Sequence, residues 1–288
     1  AYSMASNHVC QEIILVDDYS YRRAEGEQLD LQHCLPFTGP VEITLGKLSE
    51  LEDCDFIVIT AGAAQKDGET RLDLMKKNVE IYQTFFPMLS NNNPNALFCI
   101  VTNPVDIMTR VALDLSGLAT ERVFGTGTVL DTARFRQNLS KYLKVSNVNI
   151  HAYVIGEHGD SEVLVRSRCM IGPYKVNEYA EMTGVELTEK AKFKIDEDVR
   201  EAAYQIIERK GSTHFAIGAG TAKLVEIISH NRHQIYTVSR EMDIPGFPDG
   251  LCMSLPTELC RAGALTQLSL GLDREEDKQL KRSAEILS

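Results

Sequence analysis

The stretch Val154-Ile155-Gly156-Glu157-His158-Gly159-Asp160-Ser161 ends an apolar run in a histidine flanked by glycines. An imidazole titrates near neutral pH and can both give and take a proton, so His158 at a cleft edge is a candidate general acid and base. Standing alone it would serve equally as a turn residue bonded to backbone. Three other stretches belong beside it. Asp131-Thr132-Ala133-Arg134 places a carboxylate and a guanidinium three residues apart, on one face of a helix. By themselves these two make an ordinary intrahelical ion pair worth a few tenths of a kcal/mol. Thr102-Asn103-Pro104 follows a buried apolar run, and the polar segment from Ala61 to Arg71 joins a strand to a helix through Gly62 and Gly68. Such a segment suits a lid, or is a surface loop with a solvated arginine.

The elements that must position these residues alternate. Residues 12–17 form an apolar run that ends in Asp17, as a buried parallel strand does, and a helix follows over residues 22–33. Strands are expected at 41–45, 56–60, 97–101 and 122–125, with helical spacing of Leu72, Met75, Val79, Tyr82 and Phe86 between the second and third. Pro104 sits near the first position of the next helix, which leaves Asn103 at the carboxyl end of the sheet, where open α/β folds bind ligands. It serves there as a ligand contact or simply as an N-cap.

The spacing predicts a helix over 129–143, a strand running into the His158 turn, and a second strand over 161–171. Helices at 187–210 and 213–230, short strands near 235–238, 251–255 and 264–270, and a charged helix over 273–287 complete the chain. The pattern is α/β: a doubly wound (Rossmann) parallel sheet over residues 1–125, then an α+β substrate domain over 126–288.

Asp17 is the residue type that accepts hydrogen bonds from an adenosine ribose and repels a ribose phosphate, which would select NAD; it could equally cap the following helix. The G-x-G-x-x-G turn that accompanies such an acid is not found among the 288 residues. The chain reads as though roughly 20 to 25 residues of strand, phosphate turn and helix preceded it. Since that strand is central in the doubly wound order, two interior strand edges are expected to be unpaired.

Composition narrows the function classes. The chain is 43% hydrophobic, enough for a large core, and its net charge of -11 arises from 41 acidic against 30 basic residues without a basic run. Nucleic acid and anionic membrane surfaces are therefore poor partners, and an anionic small substrate needs locally placed arginines. No apolar run reaches the length of a membrane span. Seven cysteines lack C-x-x-C spacing, which favours free thiols in a reducing compartment over disulfides or a metal site.

The runs Ala61-Gly62-Ala63, Gly68-Glu69-Thr70-Arg71-Leu72, Thr102-Asn103-Pro104-Val105-Asp106, Gly125 to Arg136, Gly156-Glu157-His158-Gly159-Asp160-Ser161 and Lys210-Gly211-Ser212-Thr213 resemble, in order and spacing, the lactate/malate dehydrogenase superfamily, and within it the L-lactate dehydrogenases. The resemblance covers essentially the whole chain. It implies an NAD-dependent, cytoplasmic, tetrameric oxidoreductase of glycolysis and fermentation that passes a hydride between NADH and pyruvate to give L-lactate.

By this resemblance His158 is the acid that protonates the carbonyl oxygen, and Asp131 sets its tautomer and stabilises its charge. Arg134 would clamp the substrate carboxylate through a two-bond fork that lysine cannot copy, and Arg71 would polarise the carbonyl. Asn103 would contact the nicotinamide ribose and the reacting oxygen, Thr213 would border the substrate side chain, and Ala61, Gly62 and Asp17 would line the cofactor. Gln65 matches the position facing the substrate's variable end, where malate dehydrogenases carry arginine for a second carboxylate; neutral glutamine fits pyruvate.

Arg136 and His151 match a pair with which bacterial members bind fructose bisphosphate between subunits, and otherwise are a solvated pair. After Ser161 the family shows proline, whereas this chain reads Glu162-Val163-Leu164-Val165-Arg166, and the sequence offers no reason for Arg166. Two alternatives stay open: malate or another L-2-hydroxy acid as substrate, and a non-catalytic relative without its nucleotide turn.

Overall fold

The computed structural model describes residues 1–17, 19–63 and 70–288, without the side chain of Arg71. Gln65 and the Arg71 guanidinium, both expected at the substrate, lie outside the described residues. The first half contains α1 (Tyr2–Ser6), β1 (Glu12–Leu15), α2 (Tyr21–Thr38), β2 (Glu42–Leu45), β3 (Phe56–Ile59), α3 (Arg71–Asn92), β4 (Leu97–Ile100), α4 (Val105–Ser116) and β5 (Val123–Gly125). There follow α5 (Val129–Leu143), β6 (Ile150–Ile155), β7 (Val163–Ile171), β8 (Tyr174–Lys175), α6 (Val176–Met182), α7 (Glu189–Arg200) and α8 (Ala202–Lys210). The chain closes with α9 (Phe215–Ser229), β9 (Gln234–Glu241), β10 (Cys252–Cys260), β11 (Gly263–Gln267) and α10 (Arg274–Leu287).

Local chemistry accounts for these elements. All four residues of β4 are buried, as in a parallel strand covered on both faces. α3 starts in a capping box, with the Thr70 hydroxyl accepting the Asp73 N–H at 3.1 Å and the Asp73 carboxylate accepting the Thr70 N–H at 3.2 Å. α4 buries Val105, Met108, Ala112 and Leu113 at helical spacing and stops at Gly117, whose left-handed φ of 62° suits glycine. Tyr82, Phe86 and Leu89 of α3 pack with Phe98 and Ile100 of β4 and Met108 of α4 in one core. Phe135, Leu139 and Leu143 of α5 pack with Ile150, Ala152 and Val154 of β6 and Ile195 and Val199 of α7 in another. Each buried Leu, Ile, Val, Phe or Met among these contributes about 1.5–3 kcal/mol relative to exposure.

The doubly wound pattern is present, with the unpaired interior edges that were expected and one feature the sequence did not show. β1 and β2 form a parallel pair of their own, and no ladder joins β1 to β3 among the described residues. The strands near the C-terminus are not a separate sheet. They extend the parallel strands in the order β11-β10-β9-β5-β4-β3, through the antiparallel bridge Gly125 to Ser239. One six-stranded sheet thus spans both halves of the chain, while β6, β7 and β8 form an antiparallel sheet.

The helix expected over 187–210 is two helices meeting at Glu201. α7 docks Ile195 and Val199 into the α5 core, whereas α8 buries none of its residues, so the chain turns where the apolar face ends. No glycine or proline marks the change. Among the described residues no helix is long and apolar enough to cross a membrane. The seven cysteines are free thiols, four of them buried.

Candidate active site

Asp131 and Arg134 ride on the first turns of α5, and hydroxyl groups fix that helix. Thr128 Oγ1 donates to the Val154 carbonyl at 2.5 Å, the Val154 N–H donates to Thr132 Oγ1 at 2.9 Å, and the Thr132 and Thr237 hydroxyls bond at 2.9 Å. Buried hydroxyls left unpaired would each cost about 1–3 kcal/mol, so α5 has one position against β6 and β9. Gly127 allows the approach, because its φ is 48° and a Cβ there would lie 2.3 Å from Ser254 Oγ and 2.6 Å from the Ser239 nitrogen.

The His158 turn is pinned from three sides. Gly156 exchanges backbone bonds with Ser254 of β10 at 2.8 and 2.9 Å. The Glu157 N–H donates to Ser283 Oγ of α10 at 2.8 Å, and the His158 N–H donates to Asp106 Oδ2 of α4 at 2.7 Å. Gly156 has φ +90°, and a Cβ there would meet Ser283 Oγ at 2.7 Å, so no other residue fits this close crossing.

The three residues meet. His158 Nδ1 donates to Asp131 Oδ2 at 2.7 Å, and the Arg134 guanidinium donates to Asp131 Oδ1 at 2.7 Å. The intrahelical pair therefore exists, and the same carboxylate also holds the imidazole. The Asp131 side chain is 4% exposed, against 18% for Arg134 and 27% for His158, so the acid is sealed while the imidazole and guanidinium can be reached.

Burial, the largest single influence, disfavours the imidazolium, but the Asp131 charge and hydrogen bond, with Asp106 and Glu162 behind them, raise the His158 pKa to about 9. Burial likewise pushes Asp131 upward, and the His158 and Arg134 cations overcome it, so its pKa falls. The group is thus an imidazolium and a carboxylate at neutral pH, with the imidazole's second nitrogen available to a ligand.

Three groups that sequence reasoning passed over complete the surroundings. Asp106, buried, holds the His158 backbone, and burial raises its pKa to about 6 against the opposing Ser239 hydroxyl and His158 N–H. An acid on the buried face of α4 beside Val105 and Thr109 was the available signal. Glu162 is buried, and among the described residues its Oε1 has no hydrogen-bond partner; burial and the Asp131 charge raise its pKa to about 8. Asn78, buried on α3, bonds main chain after β3 and β4.

Asp17, Ala61, Gly62 and Asn103 follow the carboxyl ends of β1, β3 and β4, with the latter three exposed. Asp17 Oδ1 accepts the Tyr19 N–H at 3.1 Å and the Ser20 N–H at 2.8 Å, so one carboxylate oxygen shapes the turn into α2. This donor and acceptor set fits the riboses and nicotinamide end of NAD. Pyrophosphate donors of the G-x-G-x-x-G type are not among the 288 residues.

Thr213 stands half-buried between α8 and α9, and no hydrogen bond joins it to the His158 group among the described residues. Arg136 Nε donates to the Ala152 carbonyl at 2.9 Å, next to exposed His151, and its guanidinium lies 5.3 Å from the Tyr153 ring centre. Arg166 has a structural account: its guanidinium pairs with Asp196, donates to the Lys192 carbonyl at 3.0 Å and covers the Phe135 ring at 5.7 Å. It ties β7 to α7.

Residues 1–125 match the family described as lactate/malate dehydrogenase, NAD binding domain, and residues 128–288 match its alpha/beta C-terminal domain. The chain is 43% identical over 289 residues to an L-lactate dehydrogenase of Thermus aquaticus, covering 100% of this chain and 92% of that protein. It is 42% identical over 287 residues to one of Gloeobacter violaceus, covering 100% of this chain and 87% of that protein. Among solved structures, a lactate dehydrogenase from a Medee basin deep-sea metagenome superposes with a TM-score of 0.94 at 36% identity, covering 99% of this chain and 91% of that one. The minor L-lactate dehydrogenase of Enterococcus mundtii, in its ligands-bound form, gives 0.93 at 33% identity, with 99% and 91% covered.

Proposed function

Because the chain belongs to the lactate/malate dehydrogenase family, we propose that it is an NAD-dependent L-lactate dehydrogenase, interconverting pyruvate and L-lactate. The observation that carries the reading is the meeting of His158, Asp131 and Arg134 at one place. NADH, when bound, supplies the hydride. The chain's own residues do the rest.

His158 gives its second ring proton to the carbonyl oxygen as negative charge grows there. Asp131, bonded to Nδ1, holds the ring in one orientation and stabilises the charged form until that transfer. Arg134 spends one donor on Asp131 and keeps others for the substrate carboxylate, a bond in which a planar guanidinium outperforms an ammonium. Arg71 polarises the carbonyl, Asn103 and Thr213 border the reactants, and Asp17, Ala61 and Gly62 line the cofactor. Neutral Gln65 favours pyruvate over oxaloacetate, whose second carboxylate would need a cation.

We place the division between nucleotide-binding and substrate-binding parts at residues 125 and 126. We further propose a cytoplasmic homotetramer with a fructose bisphosphate site at Arg136 and His151; the bond that sets Arg136 beside the exposed His151 supports the site alone. Turnover of pyruvate against oxaloacetate with NADH tests the central reading. Pyruvate should be preferred, and a preference for oxaloacetate would overturn the role of Gln65. Failure of the chain to bind NADH, by fluorescence titration, would favour a non-catalytic scaffold.

A further inference from the structure

Beyond the backbone bond from the Val101 N–H to the Ile59 carbonyl at 2.9 Å, side chains join the segments after β3 and β4. Thr102 Oγ1 donates to the Ala61 carbonyl at 2.6 Å. Asn78, 1% exposed on α3, does more. Its Oδ1 accepts the Ala63 N–H at 2.8 Å, and its Nδ2 donates to the Asn103 carbonyl at 2.8 Å. The amide has one allowed orientation, since the flipped form would set donor against donor at Ala63 and acceptor against acceptor at Asn103. The packing leaves no slack: a Cβ on Gly62 would lie 2.6 Å from Thr102 Cγ2 and 3.2 Å from Asn78 Oδ1.

We propose that Asn78 is a positioning residue, which holds the Ala61–Ala63 main chain and Asn103 in register and so sets where nucleotide and substrate lie relative to His158. Asn78 touches neither reactant. It acts through two segments that do, by the functional reading above on which this inference rests. A plain helix-packing residue would need only one of the two bonds, or an apolar side chain of the same volume. A complementary amide that satisfies a donor on one segment and an acceptor on the other fixes their relative height, and an error of about 1 Å there can cost on the order of 100-fold in rate.

The test compares Asn78→Ala and Asn78→Asp with the parent chain by amide hydrogen exchange, denaturant unfolding and kinetics over pH 5 to 9. Asn78→Ala should speed exchange at Ala63 and around Asn103 by about tenfold or more, with the β6–β7 sheet unchanged, and lower kcat/KM for pyruvate roughly 10- to 100-fold. Asn78→Asp keeps the acceptor for Ala63 but turns an acceptor toward the Asn103 carbonyl. Protonated, that carboxyl donates again, so the ratio of variant to parent activity should recover toward acid pH.

A merely structural residue would not move that ratio with pH. Parent-like exchange at Ala63 in Asn78→Ala, a flat ratio for Asn78→Asp, or failure of both variants to fold would each overturn the proposal. Absence of pyruvate turnover in the parent would defeat the functional reading instead, and the exchange data would still decide the role of Asn78.

Discussion

The His158 pocket and the nucleotide edge of the sheet are built on opposite plans. In the pocket, an imidazole, a guanidinium and the acids Asp106, Asp131 and Glu162 are held by α4, α5, α10 and β10, with Asp131 sealed from solvent. At the edge, β1 and β2 rest on a small core of Ala5, Val41 and Ile43, and Ala61, Gly62 and Asn103 stand exposed. The contrast teaches a division of labour. Charges that must already be aligned when a proton moves are fixed by folding, because reorienting them during reaction would raise the barrier. At the nucleotide edge the main chain is held in register by Asn78, but Ala61, Gly62 and Asn103 stay exposed to a ligand instead of being sealed with their partners.

The hardest blow to this comparison is Asp131→Asn. The amide keeps the shape but removes the charge that opposes burial of the imidazolium, so the His158 pKa should fall from about 9 and pyruvate reduction should drop about 10³- to 10⁴-fold. In the parent, reduction needs the imidazolium, so kcat/KM for pyruvate should hold below about pH 9 and decline above it, while lactate oxidation rises through the same pH. Linkage agrees in sign: with the folded pKa above the unfolded value of 6.5, the stabilisation is full below about 6.5 and lost as pH climbs through about 9. A variant within tenfold of the parent would mean that the pocket does not work by preorganised charge.

Arg134→Lys comes next. It retains a cation but loses the planar fork, at a cost of about 2–5 kcal/mol in kcat/KM for pyruvate, with NADH affinity unchanged. Steady-state kinetics separate the two; equal losses for both ligands would show that Arg134 holds the fold rather than the substrate.

Glu162→Gln sharpens the comparison through pH. As Glu162 ionises near pH 8 it adds negative charge that supports the imidazolium, so the neutral variant should lose reductase activity at lower pH than the parent. Stability should move the other way. A carboxyl whose folded pKa is raised from 4.5 to about 8 weakens the fold as pH rises across that window, so above about pH 8 the glutamine variant should melt later than the parent. Coincident pH profiles of activity and melting would separate Glu162 from the site.

How far such residues can be read from sequence follows from the reach of the signals. Periodicity revealed α5, β4 and most other elements because it is local, and His158, Asp131 and Arg134 stood out because their motifs are contiguous. Ser254, Ser283, Asp106 and Asn78 act across gaps of tens to more than a hundred positions, as in the Glu157 bond to Ser283, and a helical repeat says which face is buried but not what it meets. The bridge from β5 to β9 is equally non-local. Arg166 looked anomalous because its partners Asp196 and Phe135 lie 30 residues ahead and 31 behind.

Asp17→Asn should have the smallest effect, and it probes the open side of the comparison. Asparagine keeps the Oδ1 that accepts the Tyr19 and Ser20 N–H groups, so the entry to α2 and the melting temperature should stay as in the parent. What changes is the charge offered to a ribose. Hydrogen bonds to a charged acceptor contribute about 1.5–3 kcal/mol net, and an amide retains part of that, so KM for NADH should rise about three- to tenfold. The discrimination against a phosphorylated ribose should relax as well, because the repelling charge is gone. At saturating NADH, kcat should not move, since among the described residues the Asp17 carboxylate bonds Tyr19 and Ser20 and no group of the His158 pocket. A fall in kcat of the same size as the rise in KM would show the two regions to be coupled, and the division between fixed chemistry and open binding would then fail.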